Sequence, residues 1–170
     1  MEAGDNGGVN GKDRWKIFLV GFLGIGILLG SNPLAYGAEP PGGQLSRILD
    51  LSLDLKGAMQ LVGKPDFNPA AFRKFILLDG SVAGITILEQ NPTNFTAELE
   101  LVQGEWIGTE EVKLYRAYVY AQGPSFASLL SSSIKANDYV LVIGSIEEIY
   151  TDDGGVRYPV ILAFSIRKLH

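Results

Sequence analysis

Beyond residue 74 the chain alternates apolar and polar positions with period two, the mark of half-buried strands. Five runs carry the pattern: Lys74–Gln90, Asn94–Gln103, Val112–Ala121, Tyr139–Tyr150 and Val156–Lys168. In the second, Phe95, Ala97, Leu99 and Leu101 share one face and Thr96, Glu98 and Glu100 the other, which predicts core and solvent sides respectively. In the last, Tyr158, Val160, Leu162, Phe164 and Ile166 form the predicted inward face. The third run has no polar face. Val112, Leu114, Arg116, Tyr118 and Tyr120 alternate with Lys113, Tyr115, Ala117, Val119 and Ala121, so one apolar side must be exposed or covered by another element. Between the third and fourth runs Pro124 opens Ser125–Ser133, where Phe126, Leu129 and Leu130 fall at i, i+3 and i+4 as on a short one-sided helix. Asp152-Asp153-Gly154-Gly155 is a hairpin turn by composition. Gly80 and Gly84 predict a bend or bulge in the first strand, and Gly104–Glu111 reads as a polar connection carrying Trp106.

Three strands, a short helix and two further strands make the layout of a five-stranded Greek-key barrel of the OB type. The fold class is therefore mainly β, with the barrel over residues 74–170 and an N-terminal extension over 44–73. The extension is two-sided in its signals. Leu49 to Lys56 alternates strictly, which favours a strand over 48–56. Leu45, Ile48, Leu49, Leu55, Met59 and Val62 equally match a helical stripe. Pro65 and Pro69 make the next stretch irregular.

The first 37 residues read as a signal peptide or membrane anchor. Ile17–Gly30 is uncharged and follows Lys12, Arg14 and Lys16. Its length fits the ~7–15 residues of a signal-peptide core better than the ~20 of a spanning helix. Ser31-Asn32-Pro33 breaks the helix, and Ala35 and Gly37 set small residues before a cleavage point at Ala38. Residues 15–34 nearly reach spanning length, so an uncleaved anchor is the rival. Residues 38–43 are a linker rich in proline and glycine. Either reading sends the domain out of the cytoplasm, to a periplasmic or extracellular location.

Charge narrows the partners. The chain has 14 Lys and Arg against 19 Asp and Glu, a net −5 that is unchanged beyond residue 38. Polyanion binders draw most of their affinity from phosphate neutralisation, so this balance disfavours nucleic acid. It favours an envelope or secreted protein component as partner, with the membrane touched only through an uncleaved N-terminal segment. Binding of single-stranded nucleic acid or an oligosaccharide is the alternative.

Chemistry is sparse. With no cysteine and only His170 for histidine, thiolate metal sites, a cysteine nucleophile and a serine triad have no partners to draw on. Glu147 and Glu148, as neighbours on a strand, point to opposite faces and cannot converge on one substrate. No catalytic residue, metal site or cofactor is expected. The protein reads as a non-enzymatic binding or interaction module.

The blocks Gly80–Ile85, Tyr139–Ile146 and Ile161–Ile166 resemble strands of OB-fold domains. The nearest group is that of exported bacterial OB proteins similar to tRNA-anticodon-binding domains, commonly described as lipoproteins. The resemblance spans about residues 74–169 and implies the fold. The lipoprotein cysteine is absent, so lipid anchoring is not implied, and Glu98 and Glu100 are acidic where a nucleic-acid reader of the group would be basic. Exported haem-chaperone OB proteins are set aside, since they need an internal histidine.

The candidate ligand-binding residues are Trp106, Arg116, Tyr118 and Tyr120. Rings beside a cation suit stacking on a base or sugar. The competing structural reading pairs Arg116 with Glu98 or Glu100 across the strands, and folds Trp106 back over a barrel end.

Overall fold

The structure, a computed structural model, describes residues 48–169. The N-terminal apolar segment and the linker at 38–43 lie outside the described residues.

The extension resolves its two signals in sequence. A two-residue strand, β1 (Leu49–Asp50), pairs in parallel with the start of β2 (Phe75–Glu89). The alternation then gives way to helix α1 (Leu55–Val62), so the strand expected over 48–56 holds only at its beginning. Asp54 is the reason. Its carboxylate accepts from Gly57 N–H at 2.7 Å and caps the helix start. From there Leu55, Ala58 and Val62 point together into the core, each with no exposed surface.

The remaining strands are β3 (Thr96–Ile107), β4 (Glu111–Gln122), β5 (Tyr139–Thr151) and β6 (Arg157–Lys168). Helix α2 (Pro124–Ser128), continued by a wider turn over Leu129–Ser133, lies between β4 and β5 and buries Phe126 and Leu130. β2 pairs with β5 through Phe75–Ser81, bends, and pairs with β3 through Ser81–Glu89. β3 and β4 form one long hairpin, β5 and β6 another. β4 and β6 close the barrel by a short parallel pairing of Tyr118–Tyr120 with Val160–Leu162. This is the expected five-stranded OB-type Greek-key barrel, with one extra strand at β1.

The bend in β2 falls where its glycines predict. A side chain at Gly80 would bring a Cβ to 2.8 Å from Val102 O, so the crossing of β2 over β3 requires glycine there. The apolar face of β3 follows the sequence reading, with Phe95, Ala97, Leu99 and Leu101 at most 1% exposed, whereas Thr96, expected on the solvent side, is buried at the strand's start with its hydroxyl donating to Asn94 O at 3.3 Å.

Two further expectations fail, each for a long-range reason. In β6 the buried positions are Pro159, Val160, Ile161, Ala163 and Ile166, whereas Phe164 is 74% exposed. Ile143 pairs with Ser165 and Gly144 with Ala163, which leaves Phe164 as the extra residue of a bulge. The bulge exchanges the faces partway along the strand. Likewise Gly104–Ile107 is not a connection: it is strand, paired from Gly104–Leu114 to Ile107–Glu111. The β3–β4 hairpin runs on past the barrel, where neither side is buried and alternation gives no signal.

Helix α1 covers the side where β4 and β6 diverge. Arg116 N–H, which has no strand partner there, donates to Met59 Sδ at 3.2 Å. Arg157 reaches over to donate to Lys64 O at 2.7 Å. The second apolar face of β4 is thus covered from within the chain, and Tyr115, Ala117, Val119 and Ala121 are buried.

Candidate functional site

The register of the β3–β4 hairpin sets a strip of side chains along its outer face. Opposite one another are Trp106 and Val112, Gly104 and Leu114, Val102 and Arg116, Glu100 and Tyr118, Glu98 and Tyr120. All four candidate residues lie on this strip. Period-two geometry put them there, and the barrel leaves the strip facing outward. They are not equivalent, however.

Trp106 stands at the far end, 71% exposed, beside the exposed Val112 and Leu114. It does not fold back over the barrel. Four residues of strand, about 13 Å, separate its level from that of Arg116. Arg116 is half-exposed and its Nε lies 2.8 Å from Glu100 Oε1. The cross-strand ion pair and the outward position coexist. Tyr118 packs edge-on against two further tyrosines, Tyr150 at 5.2 Å and Tyr158 at 6.0 Å between ring centroids. Tyr150 and Tyr158 face each other across the β5–β6 hairpin, nearly parallel at 6.1 Å. The Arg116 guanidinium carbon sits 5.9 Å from the Tyr158 ring centre. Tyr120 is different. It is buried, and its hydroxyl donates to Glu98, so it offers no ring face to a ligand.

Tyr150 and Tyr158 are the site residues that sequence reasoning missed. Tyr158 was assigned inward with the rest of β6. The available signal was a pair of aromatics flanking the Asp152–Gly155 turn, which must face each other across a hairpin. That turn is also tied to the cluster. Asp152 accepts from Gly154 N–H at 3.0 Å and Val156 N–H at 2.8 Å, and from Tyr158 OH at 2.9 Å. The Val156 N–H above all, then the Tyr158 hydroxyl, holds the Asp152 carboxyl below the usual range. Burial, and then the bond to Asp152, pushes the Tyr158 phenol up. Three half-buried rings from β4, β5 and β6, with one guanidinium, therefore form a fixed platform beside the β5–β6 turn.

On the opposite side of the hairpin lies a polar cleft of about 230 Å³, lined by Asp54, Lys56, Gln103, Gly104, Glu105 and Tyr115. Three of its polar groups bond one another: Lys56 Nζ donates to both Glu105 oxygens at 2.8 Å and Tyr115 OH to Glu105 at 2.6 Å. The Lys56 ammonium, with Tyr115, holds the Glu105 carboxyl below its usual range. The cleft ties α1 to the hairpin.

No family model and no curated protein matches the sequence. Solved structures do match in shape. A small single-stranded DNA-binding protein from Streptomyces coelicolor is 18% identical, with a TM-score of 0.42 over 56% of this chain and 91% of that one. The second single-stranded DNA-binding protein of Mycobacterium smegmatis is 15% identical, with a TM-score of 0.40 over 55% and 86%. A single-stranded DNA-binding protein of Plasmodium falciparum, in complex with single-stranded DNA, is 15% identical, with a TM-score of 0.44 over 56% and 94%. At these identities the likeness is one of fold.

The expectation of an envelope or secreted protein partner, with nucleic acid disfavoured, is corrected here. The three solved structures named above are of single-stranded DNA-binding proteins, and none is of an envelope or secreted component. Of the two acidic residues that motivated the expectation, Glu100 is paired with Arg116, while Glu98 keeps its charge and accepts from the Tyr120 hydroxyl.

Proposed function

We propose that the protein is a non-enzymatic OB-type module that takes single-stranded nucleic acid on the outer face of β3 and β4, chiefly by stacking. The observation that carries the reading is the platform of Tyr118, Tyr150 and Tyr158 with Arg116 against it. Its rings come from the third, fourth and fifth barrel strands, so it joins the outer face of the second and third strands to the turn between the fourth and fifth, the two places where OB barrels commonly take oligonucleotides and oligosaccharides. Exposed Trp106 extends the strip with another ring. A base stacked on an aromatic side chain contributes roughly 1–3 kcal/mol and is accepted whatever its identity. The Glu98 and Glu100 carboxylates beside the rings favour a second reading, an oligosaccharide whose hydroxyls donate to them.

The test is fluorescence anisotropy of a labelled thymine oligonucleotide with the full-length protein, with neutral oligosaccharides as competitors. Binding is expected, and Tyr118→Ala should weaken it about tenfold, the loss of one stacked base. No oligonucleotide binding, together with a change in the protein's own tyrosine and tryptophan fluorescence on adding a neutral oligosaccharide, would replace this reading with the second one. We also propose, from the sequence, that residues 1–37 export or anchor the domain outside the cytoplasmic membrane. Mass spectrometry of the chain recovered from the producing cell would check it, with Ala38 as the expected N-terminus if the segment is removed.

A further inference from the structure

The hydrogen-bonding groups next to the platform are acceptors, and this bears on which base the strip selects. Glu100 stands directly across from Tyr118 in the β3–β4 register, and Glu98 directly across from Tyr120. Directly opposed residues in an antiparallel pair have Cβ atoms about 5 Å apart. A base lying against the Tyr118 ring therefore brings its edge over β3, to Glu100. That carboxylate is held in place. Arg116 Nε fixes Oε1 at 2.8 Å, and Arg116 is itself set over the Tyr158 ring.

A carboxylate can only accept, and its two oxygens offer about four lone-pair positions. One bond from Arg116 therefore leaves capacity for two more donors. Among the bases, guanine alone presents two adjacent donors on one edge, N1–H and N2–H, spaced to meet both oxygens of one carboxylate. Thymine presents a single N–H between two carbonyl oxygens, which face the carboxylate with like charge. Single-stranded recognition reads such edges on unstacked bases.

Resting on the reading above, we infer that the strip prefers guanine over thymine, with Glu100 as the specificity-determining residue and Arg116 as the group that positions it. The preference is a property of one carboxylate beside one ring, so an isolated guanine in a thymine strand is enough to show it.

The experiment uses full-length protein and oligonucleotides of roughly 12 nucleotides, within the span of one OB fold. A thymine strand is compared with one carrying a single central guanine, and with one carrying inosine at the same place. Inosine keeps N1–H and lacks the N2 amino group. The expected order is guanine tightest by about tenfold over thymine, with inosine between them, since a good bidentate contact discriminates by ~1–3 kcal/mol. Glu100→Gln should bring the guanine-to-inosine ratio to about one, because an amide offers one acceptor and one donor. That ratio is internally controlled, as a misfolded variant would bind neither strand. Equal binding of guanine and thymine strands by the native protein overturns the inference and leaves the stacking reading in place. A guanine preference that survives Glu100→Gln overturns the assignment to Glu100. Failure to bind any of the strands removes both readings together.

Discussion

Gly144 shows how much a single position can decide. It sits where β5 faces the β6 bulge, and a Cβ there would run into the Leu162 carbonyl and approach Ile161 Cγ2 at 2.6 Å. The obstacle is backbone, which cannot swing aside. Gly144→Ala should cost about 1–3 kcal/mol by overpacking, read as a lower urea midpoint with an unchanged slope. Gly84, with open space around its Cβ position, should tolerate the same change far better. Asp138 is one of the carboxyls, with Asp50, Glu105 and Asp152, that the folded state holds below the usual range. Lys168 Nζ lies 2.8 Å from its carboxylate and the Lys135 N–H donates at 2.8 Å, so the folded state holds this carboxyl below the usual range, chiefly through Lys168. A depressed folded pKa means the ionised group stabilises the fold above about pH 4, and the contribution disappears as pH falls through the folded value. The stability difference between the native chain and Asp138→Asn should thus be constant near neutrality and close below about pH 4. A difference that persists to pH 2 would show that the carboxylate is not the source.

At the scale of elements, α1 belongs to the barrel core although it precedes the barrel in sequence. Leu55, Ala58 and Val62 have no exposed surface, and Met59 takes the Arg116 N–H left without a strand partner. Leu55→Ala should cost about 2–5 kcal/mol, as for a filled core site. Asp54→Ala should cost about 1 kcal/mol through the lost cap. Both should appear as shifts of one cooperative unfolding transition. A separate early transition for the Leu55 variant would mean that α1 docks on a barrel already complete without it. The β3–β4 hairpin is the opposite case: past Gly104 its apolar residues Trp106, Val112 and Leu114 are exposed, and the Lys56–Glu105–Tyr115 contacts hold it against α1.

At the scale of the whole molecule, charge and shape point to different expectations about ligand affinity. The net −5 offers a polyanion no general attraction, while the ring platform offers stacking. If single strands bind as proposed, the cation set against the platform is Arg116, which Glu100 already pairs. The slope of log affinity against log salt should then be shallow, about −1 or less, from the ≈ −0.7 per phosphate typical of single strands. A slope steeper than about −4 would place the main contacts on a basic surface elsewhere in the chain.

The chain by itself determined the barrel's strand order, the apolar face of β3, the helix between β4 and β5, and the shared outward strip of Arg116 and Tyr118. Each of these depends on alternation or turn chemistry within a few residues, and local steric and capping preferences suffice for that. What only the tertiary structure decided depends on distant pairing. The β6 bulge at Phe164 arises from the register with β5, and it leaves Phe164 of the predicted inward face exposed while Val160 and Ile166 stay buried. The choice between strand and helix at 48–56 was settled by a capped helix with a place in the core, not by the alternation. The platform itself needs Tyr118, Tyr150 and Tyr158 from three strands, brought together because β6 closes against β4 in parallel over only Tyr118–Tyr120 and Val160–Leu162. A period of two says which side of its own strand a residue takes. It carries no information on which strand will lie beside it.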